Sequence, residues 1–209
     1  MNPFIYYIME QNKYQNIFNS NKKWAENKLS INSNFFEELS KKQNPEFLYI
    51  GCSDSRVPAH LITGMDVGEL FLHKNVANQI KDDDLNTLSV IYFAIKELKV
   101  KHIIICGHYG CGGVNAVCDG SPLPHPLDKW LKEVSNIKKE NNDILNSIPD
   151  LIDKQKKLTQ LNLLKQCENV ENLPVVKESI AESNYPKVHG WIYNIFNGEL
   201  IDMNWNNKK

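Results

Sequence analysis

Three residues of this chain have the types and the placement to hold a metal ion. Cys52 stands directly after the apolar run FLYIG, and far downstream His108 and Cys111 follow a second run, with only Tyr109 and Gly110 between them. Two thiolates and one imidazole form a donor set that suits zinc. Structural zinc sites close all four positions with Cys or His, whereas three protein ligands leave a position for water, the mark of a catalytic metal. Taken singly, a cysteine is more often a buried thiol and a histidine a satisfied loop residue. Together, each at the end of an apolar run and beside glycines that let the backbone turn, they point to a ligand set.

Cys52, Asp54 and Arg56 recur at every second position. A chain that stays extended past the run sends all three side chains to one side. Zinc lowers the pKa of bound water, and the resulting hydroxide needs an acceptor to fix its hydrogen and aim its lone pair. Asp54 can be that acceptor, with Arg56 keeping it ionised through bidentate hydrogen bonds. Away from a metal, an Asp-x-Arg pair would be an ordinary surface ion pair. Gly112 and Gly113 serve either a helix start or a close approach to the backbone. The remaining thiols (Cys106, Cys118, Cys167) and histidines (His60, His73, His102, His125, His189) share no ligand spacing and read as non-ligands. From the residues alone, the chemistry is metal-assisted hydration or hydrolysis.

Donors so far apart in sequence meet only if the fold brings strand ends together. FLYIG at 47–51 is short, apolar and closed by Gly51, as a buried strand is. ELFLHKNVAN at 69–78 leads through an acidic turn to LNTLSVIYFAIKEL at 85–98, whose apolar residues recur at helical spacing. HIIIC at 102–106 is β-branched and too short for a typical helix, so it is a further strand. This alternation predicts an α/β fold, a single domain with a mainly parallel β-sheet core flanked by helices. In open parallel sheets ligands sit beyond the carboxyl ends of the strands, where GCSDSR and GHYGCGG both fall. Residues 126–182 carry helical patterns broken at Pro149 and Pro174, and KVHGWIYNIFNGELIDM reads as two strands joined at Asn197-Gly198. The segment 19–42 reads as two short amphipathic helices carrying Trp24, Leu29, Phe35, Phe36 and Leu39.

The whole chain narrows the partners. Its 209 residues with 42% hydrophobic content suffice for one globular core. The 24 Lys and Arg nearly cancel the 25 Asp and Glu, so no net field favours nucleic acid or an anionic membrane, and the partner is expected to be small. No apolar run is long enough to span a bilayer. The start, MNPFIYYIMEQNKY, lacks a basic n-region and a small-residue cleavage site. Five cysteines, an odd count, read as free thiols in a reducing cytoplasm.

CSDSRVPA at 52–59 together with HYGCGG at 108–113 resembles the signature of the β-class carbonic anhydrases, bacterial type. The likeness extends through GELFLHKNVAN and KVHGWIYNIFNGEL and spans about residues 19 to 204. It implies a β-carbonic anhydrase domain of residues 19–209 behind an N-terminal extension of residues 1–18. It further implies one zinc per chain on Cys52, His108 and Cys111, an Asp54–Arg56 catalytic dyad, and attack of zinc-bound hydroxide on carbon dioxide to give bicarbonate and a proton. Gln43 falls where the family places a substrate-binding amide, and Gly112 is expected beside the substrate. The resemblance also implies a homodimer or dimer of dimers, with the N-terminal helices packing on the partner.

Gly51 and Tyr193 match a bicarbonate-regulated subtype in which the aspartate can leave its arginine and close the zinc. The regulatory pocket of that subtype carries a Trp and an Arg where this chain has Tyr49 and Lys74. Lys74 keeps the charge but lacks the planar fork, so weakened inhibition by bicarbonate is expected. A carbon disulfide hydrolase on the same scaffold, and a zinc-stabilised binding protein without catalysis, are the alternative functions.

Overall fold

The structure is a computed structural model that describes residues 3–205, with side chains from residue 12 onward. It forms two units, Met1–Gln43 and Asn44–Lys209. The first holds α1 (Pro3–Ile31) and α2 (Phe35–Lys41). Two helices were expected between 19 and 42, but the first begins far earlier and runs unbroken through residue 18. No Gly or Pro interrupts it after Pro3, which suits a first helical position. It stops where the Asn32 side chain captures the Asn34 N–H at 3.0 Å, a local bond that competes with the helical one. Trp24 then meets Phe36 edge to face at 5.6 Å, and Lys28 lies over the Phe35 ring at 5.1 Å, which folds α2 back on α1.

The second unit runs, in chain order, β1 (Phe47–Cys52), α3 (Ala59–Thr63), β2 (Leu70–Asn75), a 3-10 turn (Val76–Asn78), α4 (Leu85–Lys96), β3 (His102–His108), α5 (Gly112–Asp119), α6 (Leu127–Trp130), α7 (Lys132–Glu140), α8 (Asn142–Asn146), α9 (Leu151–Asn172), α10 (Pro174–Ser183), β4 (Lys187–Asn194) and β5 (Glu199–Asp202). The strands form one sheet in the order β2-β1-β3-β4-β5. The first four are parallel, and β5 returns antiparallel on β4 after the Asn197-Gly198 turn, with Gly198 at φ 79. The α/β fold with a mainly parallel sheet is therefore as the sequence implied.

Burial explains the near-continuous apolar strands, because a central parallel strand has both faces covered. On one face Leu48, Ile50, Ile103, Ile105 and Ile192 pack with Ile91, Leu163 and Val170. On the other, Tyr49, Ile104 and Cys106 pack with Ala59 and Leu70. A third cluster joins Cys52, Ala77, Cys111 and Val114 to Leu131, Val134 and Leu158, so the ligand candidates sit on packed supports. Among the described residues no helix is long and apolar enough to cross a membrane.

Candidate metal centre

Gly51 pairs with Cys106, so Cys52 and His108 end neighbouring strands at the carboxyl edge of the sheet. After β3 the chain turns at Gly110 (φ 71), a left-handed position that suits glycine, and delivers Cys111 at the start of α5. The turn is pinned by the Tyr109 N–H, which donates to the Tyr193 carbonyl at 3.1 Å. Cys52, His108 and Cys111 are all buried, and their donor atoms lie within 4.8 Å of one another.

This cluster fits a metal. The two sulfurs are 3.9 Å apart; two thiolates about 2.3 Å from a tetrahedral zinc stand roughly 3.8 Å apart. His108 Nδ1 lies 3.0 Å from the Tyr109 carbonyl. Only a protonated Nδ1 can donate there, which leaves Nε2 with its lone pair. That Nε2 is buried with no nitrogen or oxygen hydrogen-bond partner among the described residues, and it faces the Cys52 sulfur, an arrangement that a shared metal ion would satisfy. The thiols favour one shared charge: hydrogen bonding from Cys111 is the largest cause that draws Cys52 down to about 4, while the same contact and burial push Cys111 up. The backbone of Ala77 and Asp54 faces Cys52 and favours its thiolate.

Asp54 and Arg56 stand beside the cluster, but not on an extended chain. Beyond Cys52 the backbone turns, with the Val57 N–H on the Asp54 carbonyl at 3.1 Å and the Arg56 N–H on Asp54 Oδ1 at 2.9 Å. The aspartate oxygen captures the backbone two residues on, an Asx-type turn that wins over extension. The pair forms within that turn. Arg56 Nε donates to Oδ1 at 2.9 Å and Nη2 to Oδ2 at 2.7 Å, the bidentate geometry of a charge-assisted pair. Hydrogen bonding from Arg56 holds the Asp54 carboxyl well below the usual carboxylate range. Asp54 Oδ2 is 3.8 Å from His108 Nε2.

Around Gly112 nothing lies within 4 Å of where a Cβ would stand, so its backbone is open to an approaching molecule; Gly113 is packed by Val76 and Leu131. Gln43 is exposed just past α2, in the first unit. Tyr49 is fully buried beneath Gly51, where an added Cβ would come 2.5 Å from its ring. Lys74 Nζ donates to the Val57 carbonyl at 2.8 Å, on the turn that carries the dyad. Tyr193 is half-buried at the end of β4. The histidines set aside in the sequence do not join the cluster: His102 Nδ1 and His189 Nε2 are 2.9 Å apart at the opposite end of the sheet. A cleft of about 680 Å³ lined by residues such as Lys81, Lys129, Glu133 and Asn169 contains none of the ligand residues, so donor chemistry rather than volume marks this site.

The sequence did not single out the Tyr109 carbonyl that orients His108, nor Ala77, whose backbone faces Cys52. Its signal was Asn75-Val-Ala-Asn78, a stretch rich in the residue type that tolerates left-handed backbone.

A mainly parallel sheet with two cysteines and a histidine grouped at its carboxyl edge carries a donor set that could hold a metal ion. Comparison with known proteins narrows the class: the carbonic anhydrase family model matches residues 47–200, and the chain belongs to the β-class carbonic anhydrases. It is 42% identical to a carbonic anhydrase of Emericella nidulans over 91% of this chain and 83% of that one. Among solved structures, a tetrameric β-carbonic anhydrase of Sordaria macrospora superposes with a TM-score of 0.89 at 36% identity, covering 92% of this chain and 98% of that one. A Coccomyxa β-carbonic anhydrase does so with a TM-score of 0.83 at 32% identity, covering 90% and 84%.

Proposed function

We propose that this protein catalyses the reversible hydration of carbon dioxide to bicarbonate and a proton, with one zinc ion held by Cys52, His108 and Cys111. The observation that carries the reading is the grouping of the buried His108 Nε2 with two thiols beside an intact Asp54–Arg56 pair. Zinc, when bound, lowers the pKa of a water molecule towards neutrality and so supplies hydroxide near pH 7. The chain's own residues do the rest. The Tyr109 carbonyl fixes the tautomer of His108, and the contact with Cys111 favours Cys52 as the thiolate. Asp54, kept ionised by Arg56, accepts the hydrogen bond of the reacting water and aims its lone pair at the carbon of carbon dioxide. Gly112 leaves room for the substrate.

The same proposal includes a homodimer or dimer of dimers, as the tetrameric Sordaria relative supports, with the N-terminal helices on the partner. It includes an extension of residues 1–18 ahead of the domain 19–209. Five free thiols suit the reducing cytoplasm, which is the proposed location. Regulation by bicarbonate through Tyr49, Lys74 and Tyr193 is proposed to be weak, because Tyr49 fills the space under Gly51 and Lys74 is already engaged by Val57. The deciding experiment is a carbon dioxide hydration assay across pH with metal analysis. Stoichiometric zinc and rapid hydration are expected, and a zinc protein inert towards carbon dioxide would sink the reading.

A further inference from the structure

The turn after β2 is held in an uncommon conformation. Ala77 has φ 63 and ψ 27 and Asn78 has φ 48, left-handed values that residues with a Cβ avoid unless their surroundings impose them. Here the surroundings are amides. The Ala77 carbonyl accepts Gln79 Nε2 at 2.8 Å and Asn162 Nδ2 at 3.1 Å. Asn162 Oδ1 in turn accepts Gln79 Nε2 at 2.8 Å and Gln166 Nε2 at 3.2 Å. Asn75 clamps Gln79 from the other side, with Oδ1 on its N–H at 2.7 Å and Nδ2 on its carbonyl at 2.8 Å. Asn162, Gln79 and Gln166 are buried, and α9 otherwise offers the core Leu158, Leu163 and Val170. Most polar atoms of the ladder are paired, Gln79 Oε1 and Asn78 Nδ2 being the ones without a hydrogen-bond partner among the described residues, and the bonds that are made converge on the Ala77 carbonyl and restrain the turn.

The turn lies against the first ligand: Cys52 pairs in register with Asn75, the Ser53 N–H donates to the Asn75 carbonyl at 2.9 Å, and Ala77 shares a packed cluster with both ligand cysteines, its N–H on the Cys52 side. We infer that Asn162 is a positioning residue of the metal centre: from α9 its amide fixes Ala77 in the left-handed conformation that supplies a backbone donor to Cys52. The inference rests on the zinc reading above. Asn169, further along α9, is the comparison, since it holds the Ile80 carbonyl and Glu133, both at 2.9 Å, and reaches the ladder only at its far end, through Gln166 Oε1 at 3.4 Å.

The test uses the full-length zinc-loaded protein and reads zinc transfer to a chromophoric chelator, with folding checked by circular dichroism. Asn162→Ala is expected to weaken zinc retention about 10- to 100-fold, the usual cost of losing an outer partner of a ligand. Asn169→Ala is expected to lower the melting temperature while holding zinc within about twofold of the parent, since its hydrogen bonds end away from the ligands. Equal zinc retention in folded Asn162→Ala overturns the inference and leaves the zinc reading standing; a parent protein that takes up no zinc overturns both. Should Asn162→Ala not fold, the parent protein decides: loaded with cadmium-113, it should show a scalar coupling between the metal and the Ala77 amide proton, and absence of that coupling sinks the inference.

Discussion

Replacing Tyr49 by Phe should stabilise this protein. Tyr49 is fully buried on β1, paired in register with Ile104, and among the described residues its hydroxyl has no hydrogen-bond partner better than the weak contact with the Cys106 thiol. Its polar surroundings amount to the Cys106 and Cys52 thiols, weak partners, and burial drives the phenol far above its ordinary pKa. A buried hydroxyl without a good partner costs roughly 1–3 kcal/mol, and Phe removes that cost while keeping the ring. The small gap left where the oxygen stood offsets part of the gain, so a net stabilisation of about 1 kcal/mol is expected, or roughly 2–4 °C in a chain of this length. The assay is thermal unfolding of parent and variant at equal protein and zinc concentrations, because binding and assembly both shift the midpoint. A midpoint lowered by more than about 2 °C would show a hydroxyl with a real partner and refute the reasoning. The same variant tests the regulatory reading: if Tyr49 only fills space, inhibition by added bicarbonate stays within about twofold of the parent, whereas an anion contact would make it change.

Cys52→Ala should lose zinc and hydration activity together, because a donor disappears, as metal analysis of the purified protein will show. Asp54→Ala should keep stoichiometric zinc and lose turnover by about 100-fold or more, the range for a lost proton-handling group; full activity would remove Asp54 from the mechanism. Gly51→Ala should cost about 1–3 kcal/mol in urea unfolding, since the new methyl meets the ring of buried Tyr49 at 2.5 Å. His102 and His189 are both held below the ordinary histidine pKa, first by burial, with Glu46, Lys101 and Asp202 as the charged neighbours. A depressed histidine pKa means the unfolded chain takes up the proton first, so the stability these residues contribute is present above about pH 6.5 and is lost as pH falls towards their folded values. Urea unfolding at successive pH values should show that slope in the parent, and changing both residues to Gln should flatten it.

The ligand set was legible because Cys and His are uncommon residues, and their position at the ends of β-branched runs, next to glycines, suits metal ligation better than plain packing. The parallel sheet was legible for a related reason, since runs such as Ile103–Cys106 are apolar at every position only when both faces are covered. What failed to show was decided by partners remote in sequence or by a single local bond. The length of α1 has no strong apolar stripe to announce it: Tyr14, Ile17, Phe18 and Ile31 are all exposed. The turn at 54–57 overrode the expected extension because Asp54 accepts the Arg56 N–H, and the capacity of an Asp to capture the backbone two residues on is a signal that period-two spacing does not carry. The ladder that fixes Ala77 joins Gln79 to Asn162, 83 residues apart. Its trace in the sequence is the helical spacing of Asn162, Gln166 and Asn169 where an apolar stripe would be ordinary.

The three donors are not held alike, and the difference follows from where each leaves the sheet. Cys52 and His108 end adjacent parallel strands, so the sheet itself fixes their separation; neighbouring strands stand about 4.8 Å apart. Cys111 comes from the turn beyond, whose backbone depends on left-handed Gly110 and on the Tyr109–Tyr193 bond to β4. An added Cβ at Gly110 would sit 2.8 Å from Ile195, so that turn has little freedom on its outer side. On its inner side the restraint is Arg56, whose Nη2 donates to the Gly110 carbonyl at 3.1 Å while also gripping Asp54. One guanidinium thus holds both the Asp54 carboxylate and the turn that brings Cys111 to the cluster. A lysine has the charge for the first task but not the planar fork that performs both at once. The Asp54–Arg56 pair is therefore part of the construction of the Cys52–His108–Cys111 cluster, and the presence of Arg rather than Lys at position 56 has a geometric reason.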